Sequence, residues 1–228
     1  MHPVILAVLI GAAGLGLYEF TLLGIRINRG TEIAQASRPF GLKNPAAMHC
    51  VLVVGDSTGV GTGAARPEES VAGRIAGEFP GTEIVNLSRN GAKLKDALGQ
   101  LASVADSRFD IVLVQAGGND ILGFTDLGEL KDTTRQVLQS ARGKGKAVVF
   151  MTTGNVGLAP AFFPPISWIL TARTREARAV FLDVSRESGV QYVDLFREKG
   201  NEIFLGDPDR YYTPDYLHPS SEGYRVWY

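Results

Sequence analysis

The chain has 228 residues, of which 45% are hydrophobic and 21% are charged, and its formal net charge is −1. This length and composition suit one α/β domain with a full core, and they exclude a disordered chain, a collagen and a disulfide-dense miniprotein. The balanced charge gives no reason to expect a nucleic-acid partner, and the single cysteine, Cys50, excludes an intrachain disulfide and a cysteine-based zinc site.

The N-terminus begins with an apolar run over residues 3–25, in which Glu19 is the one charged residue. A helix of this length spans roughly 30–35 Å, which matches the hydrocarbon core of a bilayer. We therefore expect residues 1–25 to form a single-pass transmembrane or signal-anchor helix that attaches the protein to a membrane. The alternative is an apolar helix docked on the domain, but the run lacks a polar face before Glu19.

Cleavage and topology of this anchor are separate questions. Ala-Gln-Ala at residues 34–36 has the form of a signal-peptidase site, but it lies well beyond the apolar run and no Lys or Arg precedes that run, which favours an uncleaved anchor. Arg26 and Arg29 follow the run, and by the positive-inside rule they favour a cytoplasmic C-terminal domain, although the opposite orientation stays open.

After the anchor, residues 26–47 are polar and contain two prolines and two glycines, which predicts an irregular tether before a domain at residues 48–228. Within the domain, short apolar runs predict buried strands at 50–54, 83–87, 111–116, 147–152 and 191–195. Helical patterns lie between them at 70–79, 94–104, 127–141 and 169–188, and a last one follows residue 221. This alternation predicts a parallel sheet with helices on both faces, which binds its ligands at the carboxyl ends of the strands.

Polar clusters follow the predicted strands, and one of them contains a candidate nucleophile, Ser57. A serine hydroxyl needs a base within hydrogen-bond reach, and of the three histidines only His218 is plausibly placed. Asp215, three residues earlier, can accept a hydrogen bond from the other ring nitrogen and fix the tautomer. The amide of Ser57, the backbone at Gly91 and the side chain of Asn119 provide three donors for an oxyanion.

Four blocks, Gly55-Asp56-Ser57, Gly91, Gly118-Asn119-Asp120 and Asp215-x-x-His218, resemble in order the SGNH (GDSL-type) hydrolase family. The resemblance implies a flavodoxin-like three-layer α/β/α sandwich that hydrolyses carboxylic esters or thioesters without a metal or other cofactor. Carried over by position, it implies Ser57 as nucleophile, Asp215 with His218 as the base pair, and Ser57, Gly91 and Asn119 as the oxyanion hole. Thr58 departs from the family pattern, but it takes no part in the proton transfers.

Other residues have supporting roles in this interpretation. We expect Asp56 and Asp120 to accept hydrogen bonds from backbone amides and to hold the loops. Phe162, Phe163 and Trp168 follow the fourth strand at the same edge, where they either bind the acyl group, contact the bilayer or pack on the domain. The expected substrate is a small-molecule or lipid acyl ester.

Three alternative functions stay open at this point. An acyltransferase would use the same acyl-enzyme on Ser57. A dinucleotide site would use Gly59-x-Gly61-x-x-Ala64, but the second strand ends at residues 86–88 in Asn-Leu-Ser rather than in the acid that binds the ribose. A flavodoxin-like redox protein would hold the FMN phosphate on the loop at residues 57–59.

Overall fold

The computed structural model describes residues 3–105 and 109–228, and in the first helix it describes side chains at position 14 and from position 16 onward. The strands are β1 (His49–Gly55), β2 (Thr82–Asn86), β3 (Phe109–Gln115), β4 (Gly145–Met151) and β5 (Gln191–Val193). The helices are α1 (Pro3–Ala36), α2 (Ser57–Val60), α3 (Val71–Glu78), α4 (Leu94–Ala102), α5 (Gly118–Leu122), α6 (Leu127–Lys144), α7 (Ile166–Glu187), α8 (Pro208–Tyr211) and α9 (Ser221–Trp227).

All five strands lie in one parallel sheet, in the order β2-β1-β3-β4-β5. Two apolar clusters bury the two faces of this sheet: residues of α4, α6 and α7 pack on one face, and residues of α3 and α9 pack on the other. The predicted parallel sheet with helices on both faces is therefore confirmed, and each predicted strand overlaps an observed one. Both faces are covered, which explains why these strands are apolar runs rather than alternating patterns.

The strand order brings the loops that follow β1 and β3 together at the carboxyl ends of the strands. Strand β2 pairs with one edge of β1, and β3 pairs with the opposite edge of β1. The direction in which strands are added to the sheet therefore reverses between β1 and β3. In parallel sheets a crevice opens at this reversal, outside the carboxyl ends of the strands. The loops that follow β1 and β3 meet there.

The prediction of an irregular tether at residues 26–47 is wrong over its first part, because α1 continues as a helix to Ala36. Residues 31–36 include good helix formers, and the helix is held on the domain by the Asn90 side chain, whose Nδ2 donates to the Ala34 carbonyl at 2.8 Å. The following segment is attached as well, since Leu42 exchanges two backbone hydrogen bonds with Ile84 of the edge strand β2.

The predicted membrane helix falls partly on residues whose side chains lie outside the described set, namely 1–13 and 15. Among the residues that were searched, none of the helices combines the length and the apolar character needed to cross a bilayer. The described part of α1 does carry exposed apolar side chains, including Leu17 and Phe20, which are 69% and 75% exposed.

Candidate active site

Ser57 is the first residue of α2, directly after β1. The preceding Asp56 caps this short helix: its Oδ1 accepts hydrogen bonds from the Thr58 amide at 2.8 Å and from the Thr58 hydroxyl at 2.7 Å. Burial raises the pKa of Asp56 above its usual value. The expectation that Asp56 holds its loop therefore agrees with its contacts, and the turn leaves the partly buried Ser57 side chain facing the crevice.

The candidate base, His218, lies on the loop before α9 and contacts Ser57, which is 161 positions earlier in the sequence. His218 Nε2 is 3.0 Å from Ser57 Oγ, and His218 Nδ1 is 2.6 Å from Asp215 Oδ2. Asp215 is 2% exposed. Its second oxygen, Oδ1, accepts from the amides of Leu217 and His218 and from the hydroxyl of Thr213, at 2.9, 3.0 and 2.7 Å.

The contacts of Asp215 set its charge and, through it, the tautomer of His218. Burial alone would raise the pKa of Asp215, but hydrogen bonding from His218 and from the neighbouring amide and hydroxyl groups holds the pKa below its usual value. An ionised carboxylate can only accept hydrogen bonds, so His218 Nδ1 carries the proton. His218 Nε2 then has a free lone pair directed at the Ser57 hydroxyl.

Two further groups line the same crevice. Gly91 has a left-handed φ of 74°, and Asn119 is in the first turn of α5. Asn119 Nδ2 donates to the Ala92 carbonyl at 2.9 Å, which orients the amide and leaves its second hydrogen available. The adjacent Asp120 accepts from the Leu94 amide at 2.9 Å, and burial raises its pKa. These two bonds fix the loop of Gly91 relative to Asn119.

A cavity of about 550 Å³ adjoins all of these groups. Its floor is formed by site loops that carry Ser57, Asn119 and His218. The helix α1 also lines the cavity, through residues that include Leu23 and Ile27. Sequence reasoning missed the α1 residues, although the spacing of Leu23, Ile27, Thr31 and Ala34 is the signal of one helix face.

The three aromatic candidates, Phe162, Phe163 and Trp168, lie in different environments in the structure. Phe162 lines the cavity, whereas Phe163 lies beneath the guanidinium of Arg26, which is 4.8 Å from the ring centroid. Trp168 lies on α7, outside the cavity lining, with 69% of its surface exposed. The acyl-binding hypothesis for Trp168 therefore has no contact that supports it.

The glycine pattern that suggested a dinucleotide has a packing explanation. A side chain at Gly59 would collide with Ser88, and Gly61 is the left-handed residue that ends α2. Within residues 3–105 and 109–228, His, Cys, Asp and Glu side chains do not gather in groups of three or more that would suit a metal ion.

The chain resembles known proteins both in its sequence family and in its fold. A family model described as the GDSL-like lipase/acylhydrolase family matches residues 53–226. No curated protein sequence matches the chain at a significant level.

Among solved structures, a lipolytic protein of the G-D-S-L family from Veillonella parvula is similar, with 16% identity, a TM-score of 0.59, and coverage of 78% of this chain and 93% of that one. A variant of an acetyl xylan esterase from Geobacillus stearothermophilus has 21% identity, a TM-score of 0.57, and coverage of 79% and 91%. An extracellular lipase from Streptomyces rimosus has 19% identity, a TM-score of 0.60, and coverage of 77% and 94%. At these identities the structures establish a shared fold.

Proposed function

The chain belongs to the GDSL-like lipase/acylhydrolase family, as its sequence blocks predicted, and on that premise we propose that it is a serine hydrolase that cleaves carboxylic esters through an acyl-enzyme on Ser57. The observation that carries the proposal is the continuous chain of hydrogen bonds from Asp215 through His218 to Ser57 at the floor of the cavity. The proposed reaction needs no metal and no organic cofactor.

In the first half-reaction, Ser57 Oγ attacks the carbonyl carbon of the ester while its proton passes to His218 Nε2. Asp215 stabilises the resulting imidazolium through the 2.6 Å contact with Nδ1. The imidazolium then returns the proton to the leaving oxygen as the C–O bond breaks, which releases the alcohol and leaves the acyl group on Ser57.

Three N–H donors stabilise the negative charge that develops on the carbonyl oxygen in this mechanism. The Ser57 amide is the first of α2, a position whose N–H has no partner within the helix. The Gly91 amide and the second hydrogen of Asn119 Nδ2 complete the set. In the second half-reaction, water gives its proton to His218 and attacks the acyl carbon, which releases the acid and restores Ser57.

The test is hydrolysis of p-nitrophenyl acetate by the full chain and by Ser57→Ala. The matched control is Ser103→Ala, at an exposed serine at the end of α4. We expect activity in the wild type and the control but not in Ser57→Ala. Equal activity in all three would contradict the proposal.

Hydrolysis and acyl transfer share the first half-reaction, so the acceptor distinguishes them. The ratio of free acid to methyl ester, formed at a series of methanol concentrations, measures which acceptor takes the acyl group. For a hydrolase, free acid is the main product at low methanol. For a transferase, the methyl ester fraction of the products is much larger than the mole fraction of methanol in the solvent.

We propose that the apolar segment of residues 3–25 anchors the chain to a membrane, and the support for this is its apolar sequence and the exposed side chain of Leu17. Arg26 and Arg29 after this run favour a catalytic domain on the cytoplasmic side. If the proposal is right, the full chain sediments with membranes and resists extraction by high salt or alkali. A full chain that stays in the supernatant would contradict it.

A further inference from the structure

A second, smaller apolar cavity lies beside the catalytic one, between α1 and the loop that leads into α7. Its lining includes Phe20 and Leu23 of α1, together with Phe163 and Ile166 across from them. Three residues line both cavities: Leu23, Ala161 and Phe162. The two cavities therefore adjoin at these three residues, and both are lined by α1. Together, these two adjoining cavities are called the groove.

Contacts between α1 and the domain fix the walls of this groove. Arg26 Nη1 donates to the Pro160 carbonyl at 2.7 Å, and its guanidinium also lies 5.0 Å from the ring centroid of Tyr216. Ala161 is itself held by a 3.1 Å bond from its amide to the Tyr216 carbonyl. The helix and the loop are thus attached to the chain segment that carries Asp215 and His218.

The chemistry of the groove matches a hydrocarbon chain. Apart from the Glu19 carboxylate, the side chains that line the smaller cavity are aliphatic, aromatic or proline. From Gly30, which lies against Asp215, to Gly16, which lines the smaller cavity, α1 advances roughly 21 Å at about 1.5 Å per residue. A zigzag chain with bonds of about 1.5 Å advances roughly 1.3 Å per carbon, so a chain of up to about sixteen carbons would fit this length.

We infer that α1 forms one wall of an acyl-chain site and that the substrate is an ester of a medium or long aliphatic acid. This inference rests on the proposed function, since the acyl carbon must sit at Ser57. Leu23, at the junction of the two cavities, is then a specificity-determining residue. Ile25 provides a matched control, because it lies two residues further along the helix, is 43% exposed and lines neither cavity.

The test compares kcat/KM for p-nitrophenyl acetate and dodecanoate, with the full chain at one fixed detergent concentration. The measured quantity is the dodecanoate-to-acetate ratio for the wild type, Leu23→Trp and Ile25→Trp. Each methylene that loses its apolar contact lowers the rate about fourfold. We expect the indole at position 23 to displace at least two methylenes and to lower the ratio at least tenfold, and Ile25→Trp to change it less than twofold.

Several results would overturn the inference. They are a wild-type preference for acetate, an unchanged ratio in Leu23→Trp, and an equal fall in Ile25→Trp. These results are distinct from failure of the proposed function, which would appear as no Ser57-dependent hydrolysis of either ester. If Leu23→Trp disturbs the fold, circular dichroism will show it, and Leu23→Ala then serves as the second variant. In that variant, loss of the apolar contact also lowers the ratio, whereas Ile25→Ala leaves it unchanged.

Discussion

Gly30 of α1 lies directly against Asp215, the carboxylate that is bonded to His218. A methyl group on the Gly30 Cα would lie 3.0 Å from Asp215 Oδ2, closer than most such contacts in proteins. The same oxygen is 2.6 Å from His218 Nδ1. The N-terminal helix therefore lies against the acidic member of the proposed catalytic group, and it also lines the cavity.

This contact predicts that Gly30→Ala lowers kcat several-fold, because either Asp215 or α1 must move to admit the methyl group. The control is Gly24→Ala in the same helix, where a methyl group would have no neighbour within 4 Å. Alanine at an exposed helical position stabilises a helix by about 0.5–1 kcal/mol relative to glycine, so Gly24→Ala should keep kcat and unfold at an equal or higher temperature. Equal kcat values for the two variants would contradict the prediction.

The oxyanion role of Asn119 predicts a loss of kcat. Removing one such donor typically lowers kcat by roughly 10²–10³, because the bond forms fully in the transition state. Asn119→Ala should therefore lower kcat by this amount while KM changes less, and steady-state kinetics on p-nitrophenyl esters measures both. An Asn119→Ala enzyme with wild-type kcat would remove Asn119 from the mechanism.

The base role of His218 predicts a fall of kcat/KM with decreasing pH. A protonated imidazole cannot accept the Ser57 proton, whereas Asp215, whose pKa is held low by its hydrogen bonds, stays ionised in mildly acidic solution. The value of kcat/KM should therefore fall as the solution is acidified. A kcat/KM that does not change on acidification would exclude a histidine base.

Asp215→Asn tests the partner of that base separately. The amide oxygen of asparagine can replace Oδ1 as acceptor for the Leu217 and His218 amides, so we expect the loop and the fold to persist. Asparagine cannot stabilise an imidazolium as a carboxylate does, and kcat should fall by roughly 10³–10⁴. Near-normal kcat in a folded Asp215→Asn protein would contradict the assignment.

The buried carboxyl group of Asp56 should make the stability of the fold depend on pH. A salt-bridged carboxylate stabilises a fold when it is ionised, whereas Asp56 should destabilise this fold when it is ionised. Burial raises its pKa in the folded state above that of the unfolded chain, so ionised Asp56 lowers stability at neutral pH. This cost disappears as the pH falls from the raised value toward the usual aspartate range. Asp56→Asn keeps an acceptor for the Thr58 amide, and its melting temperature should equal or exceed that of the wild type at neutral pH.

Thermal unfolding at several pH values checks the sign. The advantage of Asp56→Asn over the wild type should shrink as the pH falls through the raised pKa of Asp56. A variant that is less stable at neutral pH, with a deficit that shrinks on acidification, would show that ionised Asp56 stabilises the fold instead.

The sequence predicted the sheet and the loops of the site because both depend on local patterns. The apolar run of β1 predicts a strand covered on both faces, and the one well-placed histidine, three residues after Asp215, predicts the loop of the candidate base. The polar composition of residues 26–47, with Pro39, Gly41 and Pro45, predicts a tether, but these three residues all lie after the end of α1 at Ala36. The preceding helical part is polar or small for a tertiary reason, because Arg26 bonds to Pro160 and Gly30 allows the approach of Asp215.

The substrate side of the site was harder to predict, because it depends on contacts between segments that are distant in sequence. Phe162 and Trp168 are equally apolar in the sequence, yet the first lines the cavity and the second is exposed on α7. Their positions in the folded chain distinguish them.

Covalent labelling of the full chain by a fluorophosphonate probe tests the central claim, that Ser57 is a nucleophile activated by His218, most directly. The account predicts one labelled peptide containing Ser57, no label in Ser57→Ala, slow labelling in His218→Ala and normal labelling in Ser103→Ala. Label that persists in Ser57→Ala at the wild-type rate would contradict the account.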